Sequence, residues 1–293
     1  QNPDTSYTLT FPDTGEWNFQ PLDGSPDAGK LKSNSDRNGN TLTFDYDGMG
    51  RLVTIHDTLD TPAHGRDITI TYNADGFIAS VTDFAGRSVT YTYYDGVEPG
   101  GNFGDLKSVT TPAVLNTPEF PIPPVHEFPM GKTTAYTYST GFVDDRLNHN
   151  LLTITDPKGQ TYLINEYDPT TNPADLNFDR LKRQTWGNPG DVIDLVYVAQ
   201  TPAPANNFAT IKTIYNDRVG NVKEFFYDAF NRGVISREYT GRADPDQPTT
   251  ETLNRPLGKL RTDDPDYFET RYEYNADSLL TRTVDSNGNE ELS

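Results

Sequence analysis

One turn-and-strand motif recurs along this chain, and a fold that accommodates it must give every copy an equivalent setting. The motif is clearest from Asp36 to Asp57, DRNGNTLTFDYDGMGRLVTIHD. It opens with Asp-x-x-Gly, runs four residues to an aromatic, one more to a Tyr, and closes with Tyr-[Asp/Asn]-x-x-Gly and an aliphatic pair. The opening Asp-x-x-Gly occurs five times: Asp36 with Gly39, Asp83 with Gly86, Asp156 with Gly159, Asp217 with Gly220 and Asp285 with Gly288. Counted from Gly, the aromatic and the Tyr follow without shift at Phe44 and Tyr46, Tyr91 and Tyr93, Tyr136 and Tyr138, and Phe225 and Tyr227, while Tyr272 and Tyr274 carry the pair without the upstream Gly. The closing half recurs at Tyr46-Asp47 with Gly50, Tyr72-Asn73, Tyr227-Asp228 and Tyr274-Asn275.

Residues two apart on a strand share a face, and Leu42/Phe44/Tyr46, Ile68/Ile70/Tyr72 and Val89/Tyr91/Tyr93 alternate with Thr and Ser. That is period two, so each unit reads as a β-hairpin, and Asn38-Gly39 and Asn287-Gly288 offer the positive backbone angles of tight hairpin turns. The expected class is all-β, a tandem series of antiparallel hairpins with less than about a tenth helix. The aromatic pairs 44/46, 91/93, 136/138, 225/227 and 272/274 are expected to share a face and stack in cross-strand rows.

These residues resemble the YD-repeat or Rhs family, named for the Tyr-Asp pair seen here as Tyr46-Asp47 and Tyr227-Asp228. The match is closest from Gly39 to Leu52 and extends over about residues 28 to 293; Asn231-Arg232-Gly233 and Ser278-Leu279-Leu280 replace Gly-Arg-Leu. The resemblance implies a long antiparallel sheet that curves or spirals into the wall of a shell or tube, as in bacterial Rhs toxins, the cocoon of insecticidal toxin complexes and teneurins.

In order along the chain, residues 1–35 read as a lead-in hairpin, Tyr7–Phe11 and Glu16–Phe19, with a polar loop over 20–35; residues 36–293 read as the repeat region. Pro- and Gly-rich loops interrupt it at 95–104, 111–130 and 240–256, and Ala174–Arg183 allows a helical turn or two. Beginning at Gln1 and stopping inside a unit at Asp285–Asn289, the sequence reads as a piece of something longer.

Hydrophobic residues make up only 33% while aromatics reach 12%, which favours a sheet with aromatic rows over a thick core. A net charge of −19 disfavours nucleic acid and anionic membrane as partners, because phosphate affinity needs clustered Lys and Arg. The absence of Cys excludes disulfides, and no apolar stretch approaches the ~18 residues that a spanning helix needs. The four histidines, His56, His64, His126 and His149, sit in different segments without metal-ligand spacing. Asp144-Asp145 and Asp263-Asp264-Pro265-Asp266 offer paired acids but read as solvated loops. Asn34 to Gly39 imitates the start of a calcium loop and reads as a turn, in which Asp side chains accept backbone N–H groups.

The sequence therefore predicts no cofactor, no metal and no catalysis. It points to a structural segment of a large secreted or cell-surface bacterial protein, a stretch of β-shell that encloses or presents another domain. A self-assembling fibre or tube subunit, and an adhesive surface that binds glycans through exposed Tyr and Trp, are the alternatives. The expected partners are further repeats of the same chain or of other copies, paired through edge strands.

Overall fold

In the computed structural model, residues 1–59, 65–115, 127–187, 191–243, 256 and 258–292 are described. Their twenty strands are antiparallel and belong to one sheet. Among the described residues the only helical elements are short 3-10 turns at Asp145–Leu147 and Pro204–Asn206. The sheet character follows from the period-two alternation.

The chain divides into two compact units, Gln1–Ala135 and Tyr136–Ser293. The first holds β1 (Tyr7–Thr10), β2 (Glu16–Phe19), β3 (Leu31–Ser35), β4 (Thr41–Tyr46), β5 (Leu52–His56), β6 (Asp67–Tyr72), β7 (Ile78–Thr82), β8 (Ser88–Tyr93), β9 (Leu106–Thr110) and the start of β10 (Thr133–Tyr138). Each pairs with its neighbour in sequence. The second holds the remainder of β10 and then β11 (Leu151–Thr155), β12 (Thr161–Tyr167), β13 (Leu181–Trp186), β14 (Asp191–Ala199), β15 (Ile211–Asn216), β16 (Asn221–Tyr227), β17 (Gly233–Arg242), β18 (Tyr267–Tyr274), β19 (Leu280–Val284) and β20 (Glu290–Leu292). From β11 onward the pairing is again consecutive.

Three sequence expectations need correction. Leu31–Ser35, placed in a polar loop, is β3: its polar side chains hide a backbone paired on both sides, with Trp17 opposite Asn34 and Asn34 opposite Leu42. The loop placed at 240–256 begins later, because β17 continues to Arg242 and Thr240 N–H donates to the Asp266 carbonyl. Ala174–Arg183 forms no helix; its last residues enter β13, where Arg183 faces Asp194.

The first unit has almost no fully buried side chains, Tyr94 being its one buried hydrophobic residue among those described. The second has a thin core over β15–β17: Ala209, Phe226, Val234 and Ile235 form one cluster, and Ile214, Val222 and Ala243 another. In β16 the buried set is Val222, Glu224 and Phe226, so the aromatic pair Phe225 and Tyr227 occupies the alternate, half-buried positions.

Candidate functional site

The two halves of the motif are turns at opposite ends of the strands. Within each unit the opening Asp-x-x-Gly series joins strands at one end: Asp36 to Gly39 between β3 and β4, Asp83 to Gly86 between β7 and β8, Asp156 to Gly159 between β11 and β12, Asp217 to Gly220 between β15 and β16, and Asp285 to Gly288 between β19 and β20. The Tyr-[Asp/Asn] series joins them at the other: Asp47, Asn73, Asp228 and Asn275.

Both kinds of turn share one construction. The N–H of the first residue donates to the carbonyl four residues on, as in Asp47 to Arg51, and the N–H of the fourth returns to the first carbonyl, as in Gly86 to Asp83, Gly159 to Asp156 and Gly220 to Asp217, each at 2.9 Å. One side-chain oxygen of the Asp accepts two backbone N–H groups, for Asp47 those of Met49 and Arg51, both at 2.9 Å. The other oxygen holds the side chain four residues ahead, either Arg, as in Arg51, Arg87 and Arg232, or Asn, as in Asn40, Asn221 and Asn289. These donors hold the carboxyls of Asp36, Asp47, Asp83 and Asp285 below the usual Asp value.

The fourth residue is left-handed in every one of these turns, with φ of 83° at Gly39, 74° at Gly86, 79° at Gly159, 82° at Gly220, 80° at Gly288 and 76° at Gly50, while Asn38 and Asn287 are not. This corrects the sequence expectation of tight turns with positive angles at both central positions, which Asn-Gly suggested. The turn is instead a type I turn closed by one left-handed residue. That geometry needs a glycine only at the fourth position, so Gly86, Gly159 and Gly220 serve equally well behind Ala85, Lys158 and Val219. Gly220 has a second reason to lack a side chain, because a Cβ there would lie 2.5 Å from the Ala243 carbonyl oxygen; at Gly86 and Gly159 it would meet nothing within 4 Å. Asn231 and Ser278, where the sequence pattern decays, keep the conformation at 59° and 61°.

The Tyr end carries a second device. There the ladder slips by one residue: Asp45 pairs with Thr54 but Tyr46 with Leu52, leaving Val53 extra. The same slip sets Phe19 against Leu31, Tyr72 against Ile78, Tyr93 against Leu106, Tyr167 against Leu181, Tyr227 against Gly233 and Tyr274 against Leu280. A bulge disturbs the ladder and leaves backbone groups to be satisfied by other means. A tyrosine from the next strand in sequence supplies the donor. Tyr46 Oη–H donates to the Leu31 carbonyl at 2.8 Å, Tyr72 to Leu52 at 2.8 Å, Tyr93 to Ile78 at 2.9 Å, Tyr197 to Leu181 at 2.8 Å and Tyr274 to Gly233 at 2.9 Å.

The residue just before each acceptor covers the same ring. Lys30 Nζ lies 5.5 Å from the Tyr46 centroid, Arg51 Cζ 4.4 Å from Tyr72, Arg180 4.7 Å from Tyr197 and Arg232 5.0 Å from Tyr274. At Tyr93 the cation is replaced by Phe77, stacked at 4.8 Å and 27°. The rings of Tyr46 and Tyr274, expected from the sequence to stack in rows of equivalent aromatics, meet a cation from the preceding turn, as does Tyr72. Burial pushes the hydroxyls of Tyr46, Tyr93 and Tyr197 up from their usual value, so they stay protonated donors at neutral pH. Between β11 and β12 the lock is made by an amide, Asn165 Nδ2 donating to the Leu151 carbonyl at 2.9 Å.

The charged residues that are most buried were not singled out in the sequence. Glu224, fully buried, accepts from Lys212 Nζ at 3.1 Å and Arg237 at 3.4 Å; Arg237 Nε reaches Glu269 at 2.7 Å, and Glu269 reaches Arg271 at 2.7 Å. Arg237 also lies 4.7 Å from the rings of both Phe226 and Tyr267. Burial raises the Glu269 carboxyl, but Arg237 and Arg271 hold it below its ordinary value. A carboxylate fixed between two guanidinium groups, as Glu269 is between Arg237 and Arg271, is a poor proton carrier.

The paired acids noted in the sequence are turn residues: Asp144 caps the turn at 145–147 and pairs with Arg146 at 2.6 Å, and Asp264 accepts the Arg261 N–H. Asp36 accepts the N–H groups of Asn38 and Asn40, a turn as expected. His64 and His126 lie outside the described residues, and His149 sits 3.8 Å from Asp145. Among the described residues no cluster of His, Asp and Glu could hold a metal ion, and no helix is long and apolar enough to cross a membrane.

Residues 26–62 match the family model described as RHS Repeat. No curated protein matches the sequence. Among solved structures, the chain is similar to one described as TcdB2-TccC3-Cdc42, at 13% identity over 97% of this chain and 16% of that one, TM-score 0.31. It is similar at 14% identity to a Photorhabdus luminescens Tc holotoxin pore, over 96% of this chain and 15% of that one, TM-score 0.31. A porin-like protein from Bacteroides uniformis matches at 15% identity over 80% and 88% of the two chains, TM-score 0.28. The chain spans about a sixth of the length of the first of these.

Proposed function

We propose, for a chain that carries an RHS repeat at residues 26–62, that it is a non-catalytic length of wall in a secreted or surface-exposed β-shell that encloses or presents another part of its protein. The observation that carries this reading is the tyrosine lock, made three times in the first unit and twice in the second. Each lock ties the end of one strand to the first residue of the strand before it. A sheet built this way grows by local side-chain bonds and needs no thick core, which suits a wall with solvent on both sides. The low hydrophobic content, 33%, supports the same role.

Protease digestion of the natural polypeptide containing this sequence tests the proposal. Enclosure predicts a second segment that resists cleavage while the sheet is intact and becomes cleavable once the sheet is unfolded by denaturant. Cleavage of all segments outside the sheet at one common rate, before any unfolding, overturns it.

A further inference from the structure

His56 closes β5 on the side remote from the tyrosine lock, and its ring bridges the strands on either side. In the ladder it stands opposite Thr43 of β4 and Asp67 of β6. Its Nδ1 lies 2.7 Å from an Asp67 carboxylate oxygen and its Nε2 3.0 Å from one of Asp45. Neutral imidazole carries one N–H and satisfies one carboxylate; the bare nitrogen then points its lone pair at the other carboxylate oxygen. Imidazolium donates to both. Two short bonds to carboxylates on two strands therefore match the charged ring.

We propose that His56 is a pH-sensitive clasp that, as imidazolium, holds β4, β5 and β6 together through Asp45 and Asp67 and lets go of one flanking strand when it loses its proton. The described charged groups that the flanking strands turn toward the ring are Asp45 and Asp67, both acidic; the nearby Asp57 is engaged with Arg66 at 3.7 Å. Hydrogen bonds to Asp45 and Asp67 raise the ring's pKa above its usual value, against a smaller opposing effect of burial. A group whose folded-state pKa is raised lends stability that is complete below its unfolded value, about 6.5, and is lost as pH rises through the folded value. The clasp is thus shut in mild acid and opens toward alkaline pH, whether or not the chain is a shell wall.

Two measurements on the whole chain decide. Proton NMR of the His56 ring gives its titration midpoint: a value above about 6.5 is expected, and one at or below it overturns the clasp. Amide exchange, corrected for the intrinsic chemical rate, is compared at about pH 6 and about pH 8.5, on either side of that midpoint, in the wild type and in His56→Gln. Protection of β5 and β6 amides in the wild type is expected to fall by up to about tenfold per unit of pKa elevation, and to stay level in the variant, while β7 and β8 stay level in both. The same pH response in both proteins overturns it.

Discussion

At the scale of single residues, the tyrosine is a hydrogen-bond donor before it is a hydrophobic group. Removing only its oxygen isolates that role: Tyr72→Phe is expected to destabilise by about 1 kcal/mol in urea unfolding, the net worth of a hydrogen bond to a carbonyl. Tyr91→Phe, two residues before the locking Tyr93, is expected to stay within about 0.5 kcal/mol of the parent. The turn glycines separate backbone angle from space. At Gly39 a Cβ would meet nothing within 4 Å, so Gly39→Ala carries only the left-handed penalty, about 1 kcal/mol. At Gly50 the same atom would sit 2.1 Å from the Pro26 carbonyl oxygen, and Gly50→Ala is expected to lose at least about twice as much in the same assay. Ser278, left-handed at 61°, invites the reverse change: Ser278→Gly is expected to stabilise by about 0.5–1 kcal/mol.

At the scale of strands and hairpins, the buried charges of β15–β18 set the larger energies. Glu224→Gln leaves Lys212 and Arg237 facing a neutral amide inside the second unit, and a loss of about 3 kcal/mol or more in its unfolding is expected. Thermal melts of Glu224→Leu with Lys212→Met, compared with the single change, check that the loss comes from a stranded charge: the double variant should recover part of it. None of this ladder was legible in the sequence, since Lys212, Glu224, Arg237 and Glu269 lie on different strands and each looks like a solvated face. What was legible had local causes. Alternation of Leu42/Phe44/Tyr46 with Thr gave the strands, and Asp-x-x-Gly gave the turns. The bulges at Val53 and its counterparts, and the Tyr-to-carbonyl bonds they call for, depend on which strand lies beside which, and a one-residue slip has no signature in composition. In the polar β3 the alternation itself is missing, because its partners demand only a backbone.

For the whole molecule, the Asp turns dictate the response to acid. The carboxyls of Asp36, Asp47, Asp83 and Asp285 have folded-state pKa values below the unfolded one, about 3.9. Their contribution is present above that value and disappears as pH falls through the folded values. Circular dichroism melts are therefore expected to show a midpoint that falls below about pH 4, and falls less in a variant with Asp47 and Asp83 replaced by Asn. The one-sided placement of the tyrosine lock reaches beyond stability. Within a unit stapled along one margin, the length of a connection is free so long as its last residue delivers the cation beside the acceptor carbonyl: residues 20–30 and 168–180 are long connections on that margin, yet Lys30 still covers Tyr46 and Arg180 still covers Tyr197. Copies of such a motif can drift apart in length and in what they display, and still keep step.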